Sequence, residues 1–357
     1  MPSGPGPTLR RMASWRDRSA LRACAPTLTL GVERVTGADL LQGAERWAGA
    51  FRSAGLGPGD RLVTALPTGA CLAQVLLAGL QEGLTLVPLP PTVDPVVAAA
   101  EADPAAAVAA PDAFGGRDVG WAWRAEGAGG PAAPPRTLRP AGPRTPLARL
   151  LCASSGGGPW AALVDDNLDH AVDAVTEALQ PEQARWLSVL PWHSPAGLLL
   201  DLLPALLGAQ DILRPVPGDE ILAADVASVM QRWQPTHAVL PLPLVGELRT
   251  RWGGLAPLAA LLGGLATGPG LDPGLAADLR RTRLRTHRGA PELSCMVTLG
   301  EPGIWRPGAL GRPVGCTIAD GPGGGLLVSG RPVTGGRWVD GRLHIVDRTV
   351  PVEVTLT

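Results

Sequence analysis

Between Thr36 and Pro91 the sequence switches twice from helical to strand periodicity, and this alternation constrains the fold more than any other feature. Thr36-Gly37-Ala38-Asp39 has the composition of a helix start, and Leu40, Leu41, Ala44, Trp47, Ala48 and Phe51 follow at helical spacing. The turn cluster Gly55-Leu56-Gly57-Pro58-Gly59-Asp60 closes that helix. Arg61–Leu66 then reads as a short buried strand, Gly69–Glu82 as a second helix, and Leu84–Leu89 as a second strand ended by Pro90-Pro91. Helices and strands alternating at these lengths indicate an α/β layered sheet.

The rhythm resumes after a Pro/Gly/Ala stretch. Leu147–Cys152 reads as a strand, Asn167–Leu179 as a helix, Trp186–Leu190 as a strand, and Leu198–Leu207 as a helix apolar nearly all round, as a buried helix requires. Asp211–Arg214, Asp225–Arg232 and Ala238–Leu240 continue the alternation. After Leu310, Gly and Pro punctuate short runs such as Leu326–Ser329 and Arg342–Val346, which read as antiparallel strands of a small sheet or barrel. The expected organisation is a loose tail over 1–26, a first α/β subdomain segment over 27–123 and a surface linker over 124–146. A second α/β subdomain over 147–309 and a β-rich module over 310–357 follow. The fold class is α/β, with layered subdomains and a small β-rich module near the C-terminus.

Composition decides what such a chain can do. The 47 Gly and 38 Pro approach the range of low-complexity disorder, but 45% apolar residues and a net charge of −1 supply a core and no self-repulsion. Thirty-one basic against 32 acidic residues leave no electrostatic footprint for nucleic acid or an anionic membrane. Every basic residue is Arg, so no mechanism in this chain rests on a lysine ammonium. The five cysteines are far apart and never in C-x-x-C spacing, which implies neither a disulfide framework nor a zinc site. No apolar run is long enough to span a bilayer or serve as a secretory leader, so the expectation is a soluble, cytoplasmic protein.

Cys152-Ala153-Ser154-Ser155-Gly156-Gly157-Gly158-Pro159 follows an apolar strand and precedes a helix. Such a loop can aim successive backbone N–H groups at phosphate oxygens, or it can be a plain flexible turn. The order of motifs around it favours the first reading. Leu40–Pro88 resembles the opening of the AMP-binding, adenylate-forming family, which includes the acyl-CoA synthetases. In the family's order follow the Ser/Gly-rich loop, Trp186–Leu198, Gly263–Leu271, Arg288–Glu292, Val297–Pro313 and Trp338–Arg348. The resemblance covers the family's large N-terminal domain, and the smaller C-terminal lid domain is expected to be absent.

The resemblance implies adenylation of a carboxylic acid by Mg·ATP with release of pyrophosphate. Transfer of the acyl group to coenzyme A or to the phosphopantetheine of a carrier protein would follow. In the family's S-G-T-T-G-x-P-K loop the matching positions are Ala153 to Trp160. Ser154, Ser155, Gly156, Gly157 and Gly158 would cradle phosphate, while Trp160 stands where the family has Lys. The family's Y-G-x-T-E matches Arg288-Gly289-Ala290-Pro291-Glu292. Glu292 would be the catalytic, magnesium-side carboxylate; Arg288 replaces the Tyr that stacks on adenine, and Pro291 replaces a Thr. Asp347 matches the Asp that holds the ribose hydroxyls, Gly263 and Gly264 fall in a nucleotide-side motif, and His193 lies in the segment lining the acyl pocket. His170, His237, His287 and His344 lack metal-ligand spacing and read as structural.

Losing one preorganised charge-stabilising donor costs about 3–4 kcal/mol, a factor of roughly 10²–10³ in rate. Two lysines, one hydroxyl and the lid are missing from the pattern, so activity is expected to be reduced. Three classes stay open: a slow ligase completed by a lid domain in trans, a pseudoenzyme that binds nucleotide or an acyl ligand, and an interaction subunit. Arg288 offers a partial rescue, since a guanidinium can stack on adenine or pair with phosphate. The sequence does not name the acid.

Overall fold

The computed structural model describes residues 26–94, 102–110, 120–125, 131, 135, 137–139, 144, 147–153, 160–268, 271–305, 311–321, 325–339 and 342–354. The expected loose tail falls almost wholly outside these residues and the linker mostly so, and the Gly-rich loop Ser154–Pro159 lies entirely outside them.

Two large sheets and one small one carry the chain. The first has eight strands in the order Arg342–Ile345, Gly336–Val339, Trp160–Val164, Ala148–Cys152, Thr85–Leu89, Arg61–Ala65, Ala106–Ala109 and Ala122–Arg124. It is parallel from Ala148–Cys152 through Ala122–Arg124 and antiparallel at the other end. The second has nine strands. Its parallel centre runs Leu284–Arg288, Gly263–Thr267, His237–Pro241, Ala184–Ser188, Ala209–Arg214 and Thr27–Leu30, with short antiparallel strands at each edge. Thr27–Leu30 thus pairs with the later half of the chain, and Gly336–Ile345 returns to the first sheet. The small antiparallel sheet joins Cys316–Asp320, Leu326–Gly330 and Val352–Val354.

Helices pack between the sheets and carry the core. Gly37–Ser53 starts at Thr36, whose Oγ1 accepts from Asp39 N at 3.1 Å. It buries Leu40, Ala44, Trp47, Ala48 and Phe51, the predicted stripe, with Leu41 only partly covered. Trp47, Phe51 and Trp123 stack edge to face or tilted, with ring centroids 5.4–6.3 Å apart. One apolar core continues from Leu62, Leu86 and Leu150 in the first sheet, through Ala70–Gln81 and Asp165–Leu179, to Trp186, Ile212 and Leu265 in the second.

One element differs from expectation. Leu198–Leu207 is not a single α-helix: Gly197–Leu202 is a π-turn that passes into an α-helix over Leu203–Gly208. Pro204 has no N–H to give to Leu200, so the helix widens there. Asp201, fully buried in this π-turn, accepts from Trp186 Nε1 at 2.6 Å, Ser188 Oγ at 2.7 Å and Leu190 N at 3.2 Å. Burial still pushes its carboxyl up to about 6.

Asn167 ties the end of the strand Trp160–Val164 to the segment 331–335. Its Oδ1 accepts from Val164 N at 3.1 Å and Gly335 N at 3.0 Å, and its Nδ2 donates to Arg331 O at 2.8 Å and Val333 O at 2.9 Å. Every hydrogen-bonding site of that fully buried amide is used. Asn167→Ala strands four backbone groups and is expected to cost about 2–4 kcal/mol in urea unfolding. Proteolysis is also expected to shift to 331–336. A loss below about 1 kcal/mol would contradict this role.

Candidate functional site

The strand Leu284–Arg288 ends at Arg288, and the chain then folds back on itself. A Cβ on Gly289 would stand 2.2 Å from the Cys295 carbonyl, so only glycine allows that approach. A 3₁₀ segment, Pro291–Leu293, leads into Ser294 and Cys295, both left-handed at φ 54° and 60°. Such backbone costs about 1–2 kcal/mol per non-glycine residue. It is held here by Ser294 Oγ donating to Pro332 O at 2.7 Å and Cys295 N donating to Ala290 O at 2.9 Å.

Glu292 lies where this turn meets two other segments. Its carbonyl accepts from Thr334 N at 2.9 Å. Burial raises the Cys152 and Cys295 thiols, Cys295 to about 12, and the nearby Glu292 carboxylate adds to both shifts. Both thiols are therefore neutral and unreactive. Cys152 ends the strand that enters the Gly-rich loop, and Trp160 begins the strand that leaves it. These two strands are antiparallel neighbours, with Cys152 opposite Ala161. Glu292 thus stands beside the stem of the loop, although Ser154, Ser155, Gly156, Gly157 and Gly158 themselves lie outside the described residues.

Asp347 follows the next hairpin, which is bonded to the same segment. Val346 N donates to Gly335 O at 3.2 Å, one residue from the Thr334 that contacts Glu292. Asp347 Oδ1 accepts from Thr349 Oγ1 at 2.7 Å and Thr349 N at 2.9 Å, which holds the exposed carboxyl below its ordinary range. Arg348, next to it, is anchored by Asp166 and by Arg331 O at 2.8 Å. Glu292 thus stands beside the loop stem, and Asp347 is connected to it through the backbone path of Thr334, Gly335 and Val346; Arg288 enters four residues before Glu292, paired with Thr298 on the neighbouring strand.

Two predicted elements lie elsewhere. Gly263 and Gly264 begin their strand, at the amino edge of the sheet. A Cβ on Gly263 would meet the His237 ring at 3.0 Å, and one on Gly264 would meet Leu284 at 2.5 Å and Ala238 O at 2.6 Å. They allow close strand packing, and Gly264 is in register with Leu284, four residues before Arg288 and about 13 Å from it along the strand. His193 follows the carboxyl end of Ala184–Ser188, three strand positions from Leu284–Arg288, roughly 14 Å across the sheet.

His193 belongs to a polar group that sequence reading missed. Its Nδ1 is 3.6 Å from Asp219 Oδ1. Asp219 accepts from both the hydroxyl and the N–H of Thr68, and Thr68 Oγ1 accepts from Trp192 N at 3.0 Å. The buried Arg214 guanidinium lies over the Trp192 ring and donates to Leu190 O at 2.9 Å. Burial lowers His193, reinforced by Arg214 and opposed by Asp219, so its ring is neutral at neutral pH. Arg214 and Asp219 share one strand end and its following loop, but Thr68 and Trp192 come from distant segments, so no local pattern gathers the group. Thr68 also lines a cavity of about 250 Å³ with Leu66, Cys71 and Gly218.

The other histidines are internal or exposed. His170 Nε2 bonds Met296 O and His237 Nε2 bonds Leu179 O, each at 2.9 Å. His287 is buried with neither ring nitrogen partnered among the described residues, and His344 is exposed. Among the described residues no group of three or more His, Cys, Asp or Glu could hold a metal ion. No helix among them is long and apolar enough to cross a membrane.

No family model matches the chain, and no curated protein matches it in sequence. Solved structures do match its fold. The amide bond synthetase McbA from Marinactinospora thermotolerans is similar over 95% of this chain and 81% of its own, at 20% identity and a TM-score of 0.73. The O-succinylbenzoate coenzyme A synthetase MenE from Bacillus subtilis is similar over 91% and 71%, at 17% identity and a TM-score of 0.72. A benzoate CoA ligase from Burkholderia xenovorans is similar over 92% and 74%, at 18% identity and a TM-score of 0.73. The chain has the α/β fold of the N-terminal domain of adenylate-forming ligases, including a small antiparallel sheet.

His287 gives a pH test of this site's packing. Burial, with the Arg288 charge adding, pushes its imidazole down to about 4 from the free value of 6.5. The unfolded chain therefore binds the proton first, so stability is complete above about pH 6.5 and falls as pH drops towards 4. At about 1.4 kcal/mol per pKa unit the loss is about 3 kcal/mol. Asp201, pushed up to about 6, works in the opposite sense over part of that window, so wild type must be compared with the variant. His287→Leu is expected to remove the acid-side loss in urea unfolding at pH 4.5 and 7.5. An unchanged profile would contradict a buried neutral imidazole.

Proposed function

We propose that this chain is an acyl-CoA synthetase-like ligase that uses Mg·ATP to adenylate a carboxylic acid, at a reduced rate. What supports the reading is the backbone path that runs from Glu292, beside the stem of the Gly-rich loop, through Thr334 and Gly335 to Val346, next to Asp347. A carboxylate oxygen of the acid would attack the α-phosphorus, and pyrophosphate would leave. A thiol, from coenzyme A or a carrier protein, would then take the acyl group, with closure over the site supplied by a separate lid domain.

The donor set fits a nucleotide that brings its own metal. Magnesium is commonly held by one or two carboxylates plus substrate phosphates, and Glu292 is the single acidic residue that the turn offers. When bound, the ion neutralises charge developing on the phosphates. The chain's own part is to bind and orient. Loop N–H groups would face phosphate, Asp347 Oδ2, unpartnered among the described residues, would accept from ribose hydroxyls, and the Arg288 guanidinium would lie against adenine or phosphate. His193, neutral and beside Asp219, would border the acid.

A second reading has its own observation. Trp160 and Pro291 stand where the pattern calls for a cation and a hydroxyl, which favours a pseudoenzyme that keeps nucleotide or acyl binding without turnover. The ligase reading and the nucleotide-binding form of the second require a nucleotide site, and a thermal-shift experiment with Mg·ATP, Mg·AMP and no ligand tests it. Saturation at about a hundred times Kd stabilises by about 2.7 kcal/mol, and the melting point is expected to rise by a few degrees. The shift is expected to vanish in Asp347→Ala, whose exposed side chain leaves the fold intact. No shift at millimolar nucleotide would remove both of these and leave an acyl-binding pseudoenzyme or an interaction subunit.

A further inference from the structure

The amino edge of the second sheet carries a cavity of about 530 Å³ that none of the chemistry above uses. Its wall includes Arg185, the second residue of the strand Ala184–Ser188, and Thr236, just before the strand His237–Pro241. It therefore opens at the end of the strands opposite to Arg288 and His193. Met230, from the helix Ala223–Trp233, and Trp252, from the helix Leu242–Trp252, form its apolar sides together with Pro257 and Leu262.

Among the described residues Arg185 is the one charged side chain on this wall. Its backbone is pinned by Thr236: Arg185 N donates to Thr236 Oγ1 at 3.0 Å, and Thr236 N donates to Arg185 O at 2.8 Å. The guanidinium is not matched in the same way. Its Nε is buried and has no acceptor among the described residues. Asp211, in register on the neighbouring strand, is ion-paired with Arg34 at 4.0 Å.

A guanidinium stays charged at every accessible pH, and its planar fork matches a carboxylate bidentately. Leaving a buried N–H without an acceptor is unfavourable. A cationic fork on the wall of an apolar cavity of small-molecule size calls for a ligand with one anionic end and an apolar body. We infer that this cavity binds an apolar monocarboxylate, a medium-chain or arylalkyl acid, with its carboxylate on Arg185 and its body against Trp252 and Met230. The site lies a full strand length from the carboxyl edge, so acid bound here is separate from acid in the proposed reaction.

Photo-crosslinking separates this site from the other edge of the sheet. The full chain is irradiated with a diazirine-bearing octanoic acid, and labelled peptides are mapped by mass spectrometry. Label is expected within 223–262, and the neutral diazirine-bearing octanamide is expected to label that region about tenfold less or weaker still. Arg185→Gln should reduce labelling by the acid to the level of the amide. Ala260→Trp, which fills the cavity from its exposed rim and leaves the charge in place, should abolish it. Label confined to peptides outside 223–262, or labelling there unchanged in Arg185→Gln or in Ala260→Trp, would overturn the inference. If Arg185→Gln does not fold, the amide comparison and Ala260→Trp decide the matter.

Discussion

Asn167 is the joint on which the candidate site depends. Its four hydrogen bonds clamp 331–335 against the start of the helix Asp165–Leu179. From there Thr334 N reaches the Glu292 carbonyl and Gly335 O receives Val346 N, so Glu292 and Asp347 inherit their positions from one buried amide. The Asp166 carboxylate on the same helix turn reinforces the clamp through Arg331 and Arg348. Exposed ion pairs of that kind contribute little by themselves, generally below about 1 kcal/mol. The fully buried and fully satisfied Asn167 dominates.

The charge chemistry around that joint is unusual for the phosphate chemistry proposed for this chain. With no lysine in the chain, every fixed cation is a guanidinium, and Arg348 is already committed to Asp166 and to the Arg331 carbonyl. Trp160, the first residue of the strand after the Gly-rich loop, is apolar where the family pattern has Lys. Positive charge for a transferring phosphate must come from loop N–H groups, from Arg288 or from an ion carried by the nucleotide. Each is weaker or less directional than a preorganised ammonium, which is the physical reason a reduced rate is part of the proposal.

Much of the fold was legible because periodicity reports burial directly. The stripe from Leu40 to Phe51 and the short strands at Arg61–Ala65 and Thr85–Leu89 follow from alternation and turn chemistry alone. The π-turn at Gly197–Leu202 was not legible: an all-round apolar run has no face to read, and the effect of Pro204 depends on Asp201 being satisfied from another strand. Glu292 and Asp347 were singled out through motif order, and a backbone path through Thr334, Gly335 and Val346 links their segments. Gly263 and Gly264 matched as letters, yet they sit at the wrong end of their strand for the site, because a local match does not fix which edge a residue occupies. Asn167, Thr68 and Asp219 stayed hidden since their partners are 124 to 168 residues away or across separate loops.

The most direct measurement is pyrophosphate release from Mg·ATP across a panel of aliphatic and aromatic acids, for wild type and Glu292→Gln. Adenylation at the Glu292 site gives acid-dependent release in the wild type that drops by about 10²-fold or more in the variant. Release that is independent of added acid, or equal in the two proteins, would contradict it.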